Sequence, residues 1–202
     1  MPLWLASHPL VLASRSTVRR ASLEAAGVPI ELHPADLDER SAEQEAPSRM
    51  PTAIAALLAR KKASRVAGLF PGRLVLGADQ TLALNEKRFA KPADRATARS
   101  QLRALAGRSH ELHSAIAFVQ DGNVLFEYVG TARLTMRTLS DRFLDLYLDA
   151  VGDAATESVG AYQIEGPGIQ LFERVDGDYF TILGLPLMAV LDFLRRRGCL
   201  LA

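Results

Sequence analysis

A chain of 202 residues, 49% apolar and 23% charged, has the composition of a globular protein forming one large domain or two closely packed lobes. A formal net charge of +1 excludes a global field that would draw nucleic acid or an acidic membrane, so any electrostatic function must be local. The single cysteine, Cys199, excludes an intrachain disulfide framework and a multi-cysteine zinc site. The opening MPLWLASHPLVLAS has no basic n-region, and no stretch approaches the ~18 apolar residues of a membrane span, so the expectation is a cytoplasmic protein.

Short apolar runs alternate with helix-like segments, which predicts an α/β protein. PLVLA reads as a strand and Arg19 to Ala26 as a helix stopped by Gly27. Pro29 to Leu32 is a second strand, running into the acidic loop Asp36-Leu37-Asp38-Glu39. Residues 40–51 are polar with two prolines and read as a loop or linker. Thr52 to Ala67, rich in Ala and Leu, predicts a helix. RLVLGAD is a buried strand ending in Gly77-Ala78-Asp79; TLAL continues it to a turn at Asn85-Glu86. Lys91-Pro92 precedes a helix from about Asp94 to Leu105, stopped by Gly107. HELHSAIAFV and VLFEYVGTARLTMRTL form a long hairpin about Asp121-Gly122-Asn123. Ser140 caps the helix DRFLDLYLDA, and the Gly/Pro-punctuated GAYQIEGPG follows. IQLFERV and DYFTIL read as a second hairpin, and Pro186 fits the first turn of a last helix, LMAVLDFLRRR, ended by Gly198. No repeat and no sharp boundary divides residues 1–202.

The segment LASRSTVRR places hydroxyls (Ser14, Ser16, Thr17) and arginines (Arg15, Arg19, Arg20) at a strand-to-helix turn. Cations at the positive end of a helix dipole are unfavourable, and a bound polyanion would reverse that sign. A solvated turn with Arg20 paired to Glu24 is the plain alternative. There is no GxxxxGK[ST] loop. The acidic loop could give Mg²⁺ a carboxylate beside substrate phosphates, or be an exposed turn. Asp79, after two small residues at the carboxyl end of a buried strand, suits metal binding or activation of a water; a capping role is the alternative. Lys61 and Lys62 both border the apolar stripe of Ile54, Leu57, Leu58 and Val66, and periodicity does not choose between them. Lys91 is a further cation. His110 and His113 fall on opposite faces of a strand, which rules against a zinc pair.

These segments, in this order, resemble the Maf family of nucleoside triphosphate pyrophosphatases. LASRSTVRR resembles its LASxSPRR opening. LDE at 37–39, ARKKA at 59–63, LGADQT at 76–81, KP at 91–92, GRSHELHSAIA at 107–117 and GAYQIEGPGIQLFERVDGDYFTILGLPL at 160–187 follow as in that family. The resemblance implies an elongated, mixed-sheet α/β fold like that of inosine triphosphate pyrophosphatases, with a cleft between two lobes of a single domain. It implies that Ser14 and Arg19 lie on a phosphate-binding turn, that Glu39 and Asp79 bind a divalent cation, Mg²⁺ or Mn²⁺, and that Asp79 activates water. It places Lys62, rather than Lys61, and Lys91 at the two lysine positions of the site. It also suggests a homodimer.

Two departures stand out. Thr17 and Val18 occupy positions where the family has proline and arginine, which puts Arg19 on the second family arginine. Gln80 after Asp79, and Glu165 before Gly166, look like the branch that cleaves 7-methyl-GTP rather than the branch that cleaves dTTP and UTP, which reads ADT and YGIQG. A carboxylate at Glu165 would complement a cationic methylated guanine better than a glutamine. The expected reaction is hydrolysis between the α and β phosphates of a nucleoside triphosphate. Cleavage of dTTP or UTP, or nucleotide binding without cleavage in the control of septum formation, are the alternatives. A nucleic-acid partner is not expected, because no aromatic-basic interleaving accompanies the arginines.

Overall fold

The computed structural model describes residues 3–46 and 48–202. Met1 and Pro2, part of the opening stretch, and Pro47, one of the two prolines of the 40–51 segment, lie outside the described residues. The protein is mixed α/β, with seven strands in the order β2-β1-β3-β5-β6-β7 and β4 paired to β3. In chain order the elements are β1 (Leu10–Ala13), α1 (Thr17–Ala25), β2 (Ile30–Leu32), α2 (Glu39–Gln44), α3 (Pro51–Ala67), β3 (Val75–Leu84), β4 (Lys87–Phe89) and α4 (Arg95–Leu105). Then come β5 (Ser109–Gln120), β6 (Asn123–Met136), α5 (Asp141–Val151), three short 3₁₀ turns between 152 and 171, β7 (Phe172–Asp176), α6 (Tyr179–Ile182) and α7 (Leu187–Arg196).

The chain forms two compact units. One comprises Met1–Gln80, His113–Gly130 and Asp178–Ala202; the other comprises Thr81–Leu112 and Thr131–Gly177. In the first unit β1 is parallel to both β2 and β3, as connections through helices require. Strands covered on both faces read as continuous apolar runs, which explains LVLA and VLGA. Side chains alternate between two packed layers. Leu10, Leu12, Leu76, Ala78, Ile116 and Phe118 meet Leu23 of α1 and Val190, Phe193 and Leu194 of α7. Val11, Ala13, Val75, Ala115, Ala117 and Val119 meet the alanines of α3. In the second unit β4 pairs antiparallel with β3 and β7 with β6, and α4 is tied to α5 by Arg95–Asp149 and Arg99–Asp145 ion pairs.

Two sequence expectations are corrected. The 40–51 segment is not simply a loop: Asp38 caps α2 by accepting from the Arg40 and Ser41 N–H groups. Ala42 of that helix packs with Ile54 and Leu58 of α3. DYFTIL is not the second strand of a hairpin, because Asp178 caps it, accepting from the Thr181 N–H, so that Tyr179–Ile182 is helical. β7 pairs with β6 instead. Aromatic and β-branched residues suggested a strand, and the local cap overrides that preference.

Thr17 turns out to be the first residue of α1, with Ser16 as its cap in an extended conformation (φ −69°, ψ 117°). Proline is favoured at a first helical position that follows an extended residue, so the family's proline and this threonine serve the same backbone. Thr17→Pro is expected to raise stability by about 0.4–1 kcal/mol in chemical denaturation, through the unfolded chain's lost freedom. At Gly77 of β3 an added Cβ would fall 2.2 Å from the Ala59 carbonyl oxygen and 2.7 Å from the Ala63 nitrogen. Those atoms are backbone, so Gly77→Ala is expected to cost at least about 1–3 kcal/mol in the same measurement.

Candidate active site

The site grows from the close approach of α3 to β3. Ala55, Ala59, Ala63 and Ala67 recur every fourth residue and are buried, so the helix axis can lie against the sheet at Gly77. Val75, Gly77 and Asp79 share one face of β3, and that face points at α3. On the turn of α3 between Ala59 and Ala63, the Lys62 Nζ lies 2.5 Å from Asp79 Oδ1 and 2.7 Å from Glu39 Oε1. Asp79 is buried and Lys62 part-buried, its side chain 13% exposed, whereas Glu39 is half-exposed as the first residue of α2. The structure therefore selects Lys62 where periodicity left two lysines; Lys61 pairs with Glu45 instead. Burial is the largest influence on Asp79 and pushes its pKa above the ordinary 3.8, against the pull of Lys62 and Arg19.

Arg19 is held by oxygens from β3 and from the turns that follow β1 and α6. Its Nε donates to the Gly184 carbonyl at 2.8 Å, and its Nη1 to the Ala78 carbonyl at 2.9 Å and to Ser14 Oγ at 3.2 Å. Burial draws the guanidinium pKa down from its usual value, while the Asp79 and Glu39 carboxylates oppose that shift. Ser14 also accepts from the Ser16 N–H, so the turn and the arginine share one hydroxyl. Arg20 does pair with Glu24, at 2.8 Å on the surface.

Gln80 faces away from Asp79, as alternation along a strand demands. Its Nε2 donates to Ser114 Oγ and to the carbonyls of Thr181 and Ile182 at 2.9–3.2 Å. Ser14, Arg19, Glu39, Lys62, Asp79 and Gln80 thus all belong to the first unit. Lys91 and Glu165 belong to the second, where both are exposed. In that unit His110 is a core residue: its Nε2 lies 2.7 Å from the Tyr162 hydroxyl, and burial pushes its pKa down to about 4. Ser114, Thr181 and Gly184 were not singled out from sequence. A serine and a threonine inside the apolar runs HSAIAF and YFTIL were the available signal, since buried polar groups need partners.

Glu39 and Asp79 are hard oxygen donors that already share one cation, the Lys62 ammonium. That donor set fits Mg²⁺ or Mn²⁺, which use one or two carboxylates and leave other positions to substrate oxygens. Among the described residues no three His, Cys, Asp or Glu side chains converge, so the protein offers no complete cage.

A buried carboxylate in the middle of β3, two residues past the part of the strand that pairs parallel with β1, and beside a lysine and an arginine, marks an α/β protein built to handle phosphate. The chain belongs to the Maf family: the family described as Maf-like protein matches residues 9–197. It is 57% identical over 200 residues to a nucleoside triphosphate pyrophosphatase of Rhodopseudomonas palustris, covering 99% of both chains. A protein of the same name from Bradyrhizobium diazoefficiens is 54% identical over 96% of both chains. A 7-methyl-GTP pyrophosphatase of Rhizobium etli is 51% identical over 94% of this chain and 96% of that one. Among solved structures, a HAM1 protein from Coxiella burnetii overlaps 63% of this chain and 72% of its own, at 20% identity and a TM-score of 0.43.

Removing Lys62 strands a desolvated carboxylate. Lys62→Met is expected to destabilise the protein by about 3 kcal/mol at pH 7 in urea denaturation. Asp79 has a folded-state pKa above its unfolded value, so folding penalises its ionised form. As pH falls through that raised pKa the proton is taken up, and the deficit of the variant is expected to shrink.

Proposed function

We propose that the chain hydrolyses a nucleoside triphosphate between its α and β phosphates, releasing a nucleoside monophosphate and pyrophosphate. The observation that carries this reading is the buried Asp79, its pKa raised by desolvation, beside Lys62, Glu39 and Arg19. A carboxylate of raised basicity is suited to accept a proton from an attacking water. The Lys62 ammonium and the Arg19 guanidinium offset charge on phosphate oxygens, Arg19 from a geometry pinned by three acceptors. Ser14 and the first N–H groups of α1 lie on the same turn and offer further donors. Family resemblance adds Lys91 to the cations that hold the triphosphate. Glu39 and Asp79 would hold a divalent cation, which supplies neutralising charge to the phosphates when bound.

The substrate we propose is 7-methyl-GTP or a similarly modified nucleotide. Support comes from the 51%-identical Rhizobium etli relative of that name and from Glu165, an exposed carboxylate able to complement a cationic base.

Pyrophosphate release from a panel of nucleotides with Mg²⁺ tests both levels. Asp79→Asn is expected to lower kcat by roughly 10²- to 10⁴-fold, the contribution of a general base. The wild-type acid limb of kcat/KM is expected above the ordinary carboxylate value of 3.8, because activity needs the ionised Asp79 and is lost as pH falls through its raised pKa. A folded Asp79→Asn protein with full activity would overturn the mechanism. Faster cleavage of dTTP and UTP than of 7-methyl-GTP would overturn the substrate assignment alone.

A further inference from the structure

Among the described residues, three other than glycine have a left-handed φ: Asn85 (+55°), Asp121 (+50°) and Ala161 (+62°). Asn85 and Asp121 sit in the tight turns after β3 and β5, where asparagine and aspartate tolerate that conformation. Ala161 is neither polar nor at a surface turn. It is completely buried, and in the left-handed region its Cβ crowds the carbonyl oxygen that follows. Gly160 before it is also left-handed, with φ +81°, and has no Cβ to crowd. Backbone strain at a residue such as Ala161 persists only where its surroundings over-determine the chain, and it concentrates at ligand-binding sites.

Tyr147, a buried residue of α5, does most of the holding. Its hydroxyl donates to the Ala161 carbonyl at 3.3 Å and accepts from the Gln163 N–H, so it bridges the peptide groups on both sides of Tyr162. Burial pushes its pKa up to about 12, which keeps it a donor at any working pH. The Ala161 N–H donates to the Ser158 carbonyl at 3.3 Å, and the Ser158 hydroxyl donates to the Tyr162 carbonyl at 2.6 Å. The Tyr162 side chain runs back to His110, its hydroxyl 2.7 Å from Nε2. With its N–H and its carbonyl both engaged, Ala161 cannot relax about φ without breaking a buried hydrogen bond. This backbone leads directly into the turn that carries Glu165. The Gly166 N–H donates to the Gln163 carbonyl at 3.3 Å, and a Cβ on Gly168 would fall 2.3 Å from that same oxygen. The turn is therefore compact and tethered at Gln163, with Ile164 buried and Glu165 exposed. The Glu165 carboxylate lies within electrostatic reach of the Tyr147 hydroxyl.

We infer that Tyr147 is a positioning residue, whose hydroxyl holds the left-handed backbone at Ala161 and so fixes where the Glu165 carboxylate meets the nucleobase. This rests on the reading of Glu165 as the group that complements a cationic base. A residue acting through a base contact changes the discrimination between a charged and an uncharged base; one that only supports the fold affects all nucleotides alike.

The experiment compares kcat/KM for 7-methyl-GTP and GTP, which differ in the charge on the base, and binding of tripolyphosphate, which has no base. Tyr147→Phe removes the hydroxyl and keeps the ring. It is expected to lower the ratio of kcat/KM for 7-methyl-GTP to that for GTP by a factor of about 5–30, equivalent to one or two hydrogen bonds, and to leave tripolyphosphate binding unchanged. Ser158→Ala is expected to act in the same direction and less, since Tyr147 still holds Ala161. In a Glu165→Gln background, Tyr147→Phe is expected to leave the ratio where it is. By NMR, the backbone chemical shifts of Ala161 in the nucleotide-free protein are expected to move away from left-handed values in Tyr147→Phe, a readout that needs neither ligand nor activity. Unchanged Ala161 shifts would overturn the inference. So would an equal fall in kcat/KM for both nucleotides, or a full Tyr147→Phe effect on the ratio that persists without the Glu165 carboxylate. If Glu165→Gln itself leaves the ratio intact while Tyr147→Phe moves the Ala161 shifts, the base contact of Glu165 fails and the backbone contact of Tyr147 stands. If Glu165→Gln lowers the ratio and Tyr147→Phe does not, only the positioning role fails.

Discussion

The contact between α3 and β3 at Gly77 is the constraint on which the site depends. No side chain separates the two backbones there, because one partner is glycine and the other a stripe of alanines. Dispersion and burial in such a contact are modest per residue, and its value is positional. It sets the distance at which Lys62 meets Asp79 and at which α2, packed on the outer part of α3, presents Glu39 to the same ammonium. A larger residue at any of these small positions would move a charge that has to be matched. Buried ionic groups tolerate such movement poorly, because the desolvation cost remains when the pairing weakens.

The arginines near the start of α1 look misplaced against a helix dipole, and the structure resolves most of that conflict without a ligand. The Arg19 guanidinium does not lie among the first N–H groups of α1. Its side chain runs to the carbonyls of Ala78 and Gly184, where a cation is favourable, and its charge is further offset by Asp79 and Glu39. Arg20 finds Glu24 one turn along. Only Arg15 remains as an exposed cation before the helix. The N-terminus of α1 itself is capped by Ser16, whose hydroxyl accepts from the Arg19 N–H. The same residue thus contributes a backbone donor to the cap and a side-chain donor to the site.

Much of this architecture is legible in the sequence. Apolar runs marked β1 and β3 because strands buried on both faces leave no polar alternation, and Ser140 marked a helix start by its capping chemistry. The same chemistry at Asp38 and Asp178 was masked by nearby prolines in one case and by aromatic, β-branched residues in the other. The carboxylates and cations of the site were legible as residue types, but their pairing was not. Lys61 and Lys62 both border the apolar stripe of α3, and only the fold sends one to Glu45 and the other to Asp79.

By itself, then, the sequence determined the α/β class, the order of most elements, the family to which the chain belongs and the residue types available for phosphate chemistry, because periodicity, caps and motifs are local properties. Tertiary structure decided what those residues face. Successive residues of a strand point to opposite layers, so Asp79 was committed to Lys62 and Gln80 to Ser114 and α6 only when α3 and α6 packed on different faces of β3. The raised basicity of Asp79 was settled at the same step, since it arises from burial, and burial exists only once distant segments close over the strand.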